Sequence, residues 1–377
     1  MKGDKKQAFI YKLFIAAFFA MLILPYPLFW VFGRFFDNAS RENRSLSTMP
    51  THAKPIQTIQ KAIEDYINDH AAFREVQMRL NAGINYNLFG VVSSENTLLG
   101  KDEWLFYKNV SDSRSLDDYQ GINAFSDAEL HTIADNLIRL QANLKRSGTK
   151  LAILMPPNKE NVYAQYMPDC IPKVSPQTKA DKLVSYLQNN TNIPIAYPKS
   201  ALIDACATYD TYYKLDTHWN TVGAYIGYKE LCDKLHLRAA ALCDVIIKQD
   251  GITAYWQDLA AASSTYNIFP QQPFYTVEGY TDNISAVQNT LLSNENIDVY
   301  TSDAQNDSKI LMLRDSFGTA IMPYIANTFK DSIFVHINAF DENTIQNVKP
   351  DIFVLELVER NCDRFIDYLP RLVEWTN

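Results

Sequence analysis

Asp216-Thr217-His218 and Asp315-Ser316-Phe317-Gly318 are the stretches of this chain whose residue types could carry out a reaction. A serine hydroxyl is a weak nucleophile until a base takes its proton, and an imidazole serves best as that base when a carboxylate orients it. Asp216 and His218 supply carboxylate and imidazole, and in an extended Asp-x-His segment their side chains share one face. Ser316 supplies the hydroxyl. It lies between an apolar run, "KILMLR" (309–314), and a helical pattern in which Ala320, Ile321, Tyr324, Ile325 and Phe329 recur at helical steps. A serine at such a strand-to-helix turn is exposed at a sheet edge, beside helix N–H groups that favour negative charge. The N–H groups of Phe317 or Gly318, with that of Ser316, are therefore the expected donors to an oxyanion. The chain order Asp, His, Ser is no obstacle, because such sets are defined by geometry.

Each half also has a plainer reading. An Asp-Ser pair at a strand end is often only a helix cap, and Asp-x-His alone is a weak signal. Asp216 and His218 would need further ligands to hold a metal, and no His, Cys or Glu cluster stands at ligand spacing, so no metal site is expected. His52, His70, His131, His236 and His336 fall in a linker, on helical faces or at a strand end and read as packing or solvated. Asn158 in "PPNKE" follows a strand and reads as an oxyanion donor or a turn residue. Arg360 in "VERN" also follows a strand, and its fork suits an anionic or hydroxyl-rich acceptor unless Glu359 neutralises it. Trp219 either floors a sugar-binding face or packs in the core, and Tyr324 reads as core.

The elements that must position these groups follow one grammar. Short apolar runs bounded by turn residues, "KLAILMPP", "IPIAY" (193–197), "KILMLRD" (309–315), "DSIFVHI" (331–337) and "DIFVLELV" (351–358), read as buried parallel strands. Helical patterns lie between them, around 177–189, 221–236 and 318–329. Ser126 and Glu129 form a capping box ahead of an apolar stripe of Leu130, Ile133, Leu137, Leu140 and Leu144, and Gly148 stands where that helix should end. "GKDEWLFYKN" (100–109) reads as a turn before an aromatic strand, and an amphipathic helix is expected from Ile59 to about residue 88. Alternating strands and helices predict an α/β sheet covered on both faces, with its site at the carboxyl ends of the strands. Residues 251–300 fit this grammar poorly and read as an insertion or a substrate-facing excursion.

At 377 residues and 47% hydrophobic content the chain can bury a large core. Its net charge is −8, and five of its basic residues against one acidic residue crowd into the first 34 positions, so the remainder is more acidic still. Binding to a phosphate backbone needs a basic face, which excludes nucleic acid as an expected partner. No charge occurs from Leu13 to Gly33, a length that suits a membrane-spanning helix with Pro25 and Pro27 as kink points. Lysines precede it, which places the following domain outside the cytoplasm. A cleaved signal peptide is the rival reading; the long apolar stretch, its terminal aromatics and the lack of an Ala-x-Ala site argue against it. The five cysteines show no CxxC spacing and are expected to be mostly buried free thiols.

"GKDEWLFY", "PPNKENVY", "DTHWN…GAY", "LRDSFG" and "ELVERN", in this order, resemble the alginate O-acetyltransferase family (the AlgX and AlgJ kind) and the related DHHW proteins of Gram-positive bacteria. The likeness runs from "ENRSL" (42–46) onward. It implies an SGNH-hydrolase-like parallel sheet flanked by helices, in permuted order, and a Ser-His-Asp set that moves acetyl groups onto exported polysaccharide through an acyl-enzyme. By that resemblance Ser316 is the nucleophile, His218 the general base and Asp216 its orienter; Phe317, Gly318, Asn158, Arg360 and Trp219 are oxyanion or substrate-binding candidates. Thr217 departs from the pattern, standing where DHHW proteins carry a histidine. The expected organisation is a cytoplasmic tail (1–12), a membrane anchor (13–33), a juxtamembrane linker and helix (34–99) and an SGNH-like acetyltransferase domain (100–377). A glycan acceptor and a membrane-bound O-acyltransferase donor are the implied partners, and with acetyl delivered across the membrane the site needs no coenzyme. The rivals are an esterase, which would hand the same acyl group to water, and a non-catalytic surface assembly protein that retains the fold.

Overall fold

Strand after strand in this chain alternates its side chains between two separate apolar cores. Ile310 and Met312 face one core, and Leu311 and Leu313 face the other; Ala152 and Leu154 against Leu151 and Ile153, and Ile352 and Val354 against Phe353 and Leu355, repeat the division. A period of two with both phases apolar is what a sheet buried on both faces requires. The structure is a computed structural model describing residues 2–36, 46–50, 56–108, 114–252, 257–266, 268–270, 272–280, 284–287 and 296–376. It divides into two units: Met1–Ser94 with Ala260–Phe269, and Glu95–Leu259 with Pro270–Asn377.

The larger unit is built on a seven-stranded sheet of β1 (Lys150–Leu154), β2 (Ile195–Ala196), β3 (Ile284–Ala286), β4 (Ile297–Ser302), β5 (Lys309–Arg314), β6 (Asp331–His336) and β7 (Ile352–Glu356). The spatial order is β2-β1-β7-β5-β6-β4-β3. The first five in that order are parallel, with Val354 opposite Ala152 on one side and Met312 on the other. β4 and β3 are antiparallel, so the all-parallel expectation is corrected to a mixed sheet. The physical reason lies in the connection: β3 and β4 come from the aperiodic stretch 251–300 and are too close in sequence for the crossover a parallel pair needs.

Helices cover both faces. Asp127–Arg146, Lys179–Asn190 and Arg364–Trp375 bury Leu137, Leu183 and Leu369 on one side; Thr221–Leu235 and Gly318–Thr328 bury Tyr225 and Ile321 on the other. The Ser126–Glu129 capping box forms as its sequence predicts, and Thr178 with Asp181 makes a second. Gly148, at φ 82°, turns the chain from the first of these helices into β1. The aromatic strand after Gly100 is Leu105–Tyr107, buried at Leu105 and Phe106; Asn109 lies outside the described residues. All five cysteines are free, but only Cys232 and Cys362 are buried while Cys170 and Cys243 are exposed, so the expectation of mostly buried thiols holds in part.

In the smaller unit the apolar N-terminus is not one helix. Among the described residues no single helix is long and apolar enough to cross a membrane; Gln7–Ile23 and Pro25–Phe35 meet that test only together, as a pair bent by 40°. Pro25 and Pro27 have no N–H to give, which removes ladder bonds at the bend. The helix expected from residue 59 is likewise two, Ile56–Asp69 and Arg74–Phe89, separated where Phe73 takes a φ of 57°. The linker expected at 37–55 and the start of the resemblance at 42–45 fall largely outside the described residues.

Candidate active site

The carboxyl ends of β1, β7 and β5 are neighbours, and the loops that leave them build one site. β5 runs out at Arg314 into Asp315 and Ser316, after which the helix Gly318–Thr328 begins. Ser316 is exposed while Asp315 and Phe317 beside it are buried. Asp315 is why the turn holds. Its Oδ1 accepts the Phe317 N–H (2.9 Å), and its Oδ2 accepts the Val358 N–H (2.9 Å) and Asn361 Nδ2–H (2.9 Å), fastening the Ser316 turn to the loop after β7. Asp315 N–H in turn donates to Glu356 Oε2 (2.9 Å). Burial, and then the neighbouring Asp315 charge, push the Glu356 carboxyl well above the usual range. Gly318 is needed for contact: a Cβ there would lie 2.6 Å from Arg314 Cβ and 2.9 Å from Glu356 Oε2.

The other half arrives on the segment before the helix Thr221–Leu235. A bridge between Tyr212 and Trp219 closes this segment into a loop, and Asn220 caps the helix by accepting the Gly223 N–H (3.0 Å). Lys159, buried at the end of β1, donates Nζ to the carbonyls of Tyr213 (3.1 Å), Lys214 (3.3 Å) and Asp216 (2.5 Å), so the loop is pinned from beneath. Burial pulls this ammonium down to about 8, with the charges of Glu160, Asp216 and Asp258 opposing.

These two halves meet. His218 Nε2 is 2.8 Å from Ser316 Oγ, and His218 Nδ1 is 2.7 Å from Asp216 Oδ1. The pairing does not use an extended Asp-x-His segment, as its sequence suggests; the chain bends there, and Asp216 Oδ1 also accepts the His218 backbone N–H (2.9 Å). Trp219 Nε1 donates to the Phe317 carbonyl (3.0 Å), tying one half to the other. Burial opposes charge on His218, but the hydrogen bond and charge of Asp216, with the charge of Asp258, outweigh it and hold the imidazole above its ordinary value. Burial likewise opposes the Asp216 carboxylate, and the bonds and charge of His218 with the Asp258 N–H outweigh it, leaving Asp216 below the usual range.

Asp258 was not legible in the sequence. It follows the helical segment 221–235 by some twenty positions and enters the site through its neighbours: Oδ1 accepts the Thr217 N–H (2.7 Å), Oδ2 accepts Thr217 Oγ1 (2.6 Å), and its own N–H donates to Asp216 Oδ2 (2.8 Å). Asp216, His218 and Asp258 are thus the one group among the described residues with the types and closeness of a metal site. Their hydrogen bonds argue against that use, since every oxygen of both carboxylates already accepts a proton from protein.

The remaining sequence candidates divide. Phe317 is corrected as an oxyanion donor, because its N–H is spent on Asp315. Trp219 is corrected as a sugar platform: it is fully buried, and Gly227 lets its ring lie so close that a Cβ there would meet it at 2.7 Å. Glu359 does not neutralise Arg360, because its carboxylate accepts from the Asn158 N–H (2.7 Å), Asn161 Nδ2 (2.9 Å) and Thr178 Oγ1 (2.7 Å). Arg360 instead lies over the rings of Tyr107 (5.3 Å) and Phe317 (5.1 Å). Asn158 is buried, accepts the Arg360 N–H at Oδ1 (3.2 Å), and leaves Nδ2 without a partner. Tyr324 is core, as read.

Residues 97–308 match the model of a family described as "SGNH hydrolase-like domain, acetyltransferase AlgX". The chain belongs to this family. The matched region holds Asp216, His218 and Asp258 and stops short of Ser316. No curated protein matches the chain in sequence. A DHHW family protein from Eubacterium siraeum is similar in structure, with a TM-score of 0.52 at 15% identity over 72% of this chain and 97% of that one. Bacillus cereus PatB1 with a sulfonyl adduct gives 0.51 at 18% identity over 71% and 96%. Pseudomonas aeruginosa AlgX gives 0.45 at 15% over 74% and 66%. The first two likenesses show a shared fold.

Proposed function

We propose that this member of the family is an O-acetyltransferase in which Ser316, His218 and Asp216 pass an acetyl group to a hydroxyl of a cell-surface or exported polysaccharide. The observation that carries the reading is the unbroken line of contacts from Asp216 Oδ1 through His218 to the exposed Ser316 Oγ, at 2.7 and 2.8 Å. In the first step His218 Nε2 takes the Ser316 proton as Oγ attacks the acetyl carbonyl. The donor oxygen then leaves with that proton, and an acetyl ester remains on Ser316. In the second step a sugar hydroxyl gives its proton to His218 and attacks the ester, and the proton returns to Ser316 Oγ. Asn158 Nδ2 and the N–H groups of Ser316 and Gly318 are the donors we assign to the oxyanion. Arg360 fits an anionic or hydroxyl-rich acceptor.

The bent apolar pair anchors the chain, in this reading, with the catalytic unit outside the cytoplasm beside a membrane-bound acyl donor. The permuted SGNH order belongs to the same reading. Hydrolysis is the second reading, favoured by the solvent exposure of Ser316. Full-length protein incubated with a chromogenic acetate should gain one acetyl mass on the Ser316 peptide. Ser316→Ala should abolish the adduct, and His218→Ala should slow its formation about a thousandfold or more. Added oligosaccharide that accepts the acetyl group supports transfer; release to water at a rate blind to the acceptor supports the esterase. Acetylation elsewhere with Ser316 unmodified would overturn both.

A further inference from the structure

The geometry points to Asp258 as a second carboxylate that positions and charges the His218 base, a role resting on the acyl-transfer reading above. Three bonds place it. Its Oδ1 and Oδ2 take both donors of Thr217, the backbone N–H at 2.7 Å and Oγ1 at 2.6 Å, and its own N–H closes on Asp216 Oδ2 at 2.8 Å. The bend Asp216-Thr217-His218 is therefore clamped from the middle and from the far side of the orienting carboxylate. The same Oδ2 stands 3.7 Å from His218 Nδ1, and Thr217 Oγ1 lies 3.3 Å from that nitrogen. One imidazole nitrogen thus faces two carboxylates, one in direct hydrogen bond and one a step behind.

The arrangement also explains the residue at 217. A threonine offers Asp258 a short hydroxyl with no charge and no second ring, and Thr217 is buried against it. Where the related pattern has histidine, this chain has a hydroxyl whose Oγ1–H is committed to Asp258. Charged and titratable groups around the imidazole come from several elements: Asp216 on its own loop, Asp258 from the segment after β2 and the helix Thr221–Leu235, and Arg360 after β7. Lys159 lies below at the end of β1. Of these, Asp216 and Asp258 favour the protonated ring and Arg360 opposes it. Removing the Asp258 charge therefore weakens the base, and the pH at which His218 loses its proton falls.

The test uses full-length protein in detergent with Asp258→Asn and Thr217→Val. Hydrolysis of a chromogenic acetate is followed as a function of pH, and the His218 ring is titrated directly by NMR of histidine labelled with ¹³C. In Asp258→Asn the acid limb of kcat/KM and the ring titration should both move to lower pH, kcat should fall about tenfold, and KM should stay constant. Thr217→Val keeps the charge but removes one clamp; kcat should fall several-fold with the limb nearly in place. Should Asp258→Asn fail to fold, wild-type kcat in Thr217→Val overturns the proposal. An Asp258→Asn protein whose limb and ring titration stay at their wild-type pH also overturns it, whatever the loss of rate. The ring titration reads Asp258 even in a protein that hydrolyses nothing, so a failed acetyltransferase reading and a failed Asp258 role give different results.

Discussion

At the scale of single residues, the site turns on which donors are already committed. Phe317 N–H looks available in a strand-to-helix turn, yet the short side chain of Asp315 reaches two residues on and takes it. The base is tuned in the opposite sense: paired with carboxylates, His218 holds its proton above the ordinary histidine value near 6.5. Catalysis by the neutral ring needs that proton gone, so kcat/KM should rise with pH along an acid limb lying above 6.5, measurable with the chromogenic ester in buffers of constant ionic strength. A limb below that value would contradict the pairing. Asp216 and His218 were legible because two residues within one bend need only local contact, and Ser316 because an apolar run meeting a helical pattern marks an exposed turn. Asp258 was not, since its segment has no period and its bonds run to Thr217 and to a backbone N–H, which no spacing rule encodes.

At the scale of elements, the turn that carries Ser316 is held by a buried carboxylate. Asp315 satisfies two backbone N–H groups and the Asn361 amide while buried, and Glu356 supports it from β7. Asp315→Ala orphans those donors and should cost about 3 kcal/mol of stability, measured by urea unfolding, with a larger proportional loss of activity than of stability in the surviving folded fraction. Equal stability in the variant would remove Asp315 from this role. Five parallel strands and most of both flanking helix layers were readable from apolar runs and helical stripes; the helix Arg364–Trp375 was not read. The antiparallel edge was hidden, because β3 has three residues and is mostly exposed, and β4 is half-buried throughout, so neither shows an apolar run.

At the scale of the whole chain, the acidic catalytic unit and the apolar N-terminal pair pose separate questions. An anchored protein should stay with membranes after alkaline carbonate washing and move to the soluble fraction when residues 2–36 are removed; release of the intact chain by that wash would sink the anchor. The helical, apolar character of this segment was legible as an uncharged run, whereas its division at Leu24 depends on where two prolines interrupt the ladder.

Two bonds that take no part in proton transfer join the halves of the site: Trp219 Nε1–H on the Phe317 carbonyl at 3.0 Å, and the Tyr324 hydroxyl on the Thr221 carbonyl at 2.9 Å. They hold the turn of Ser316 against the segment of His218 independently of the contact between those two side chains. On the acyl-transfer proposal, a site fixed in this way has no assembly step in which to select its acceptor, so selection falls to access to Ser316.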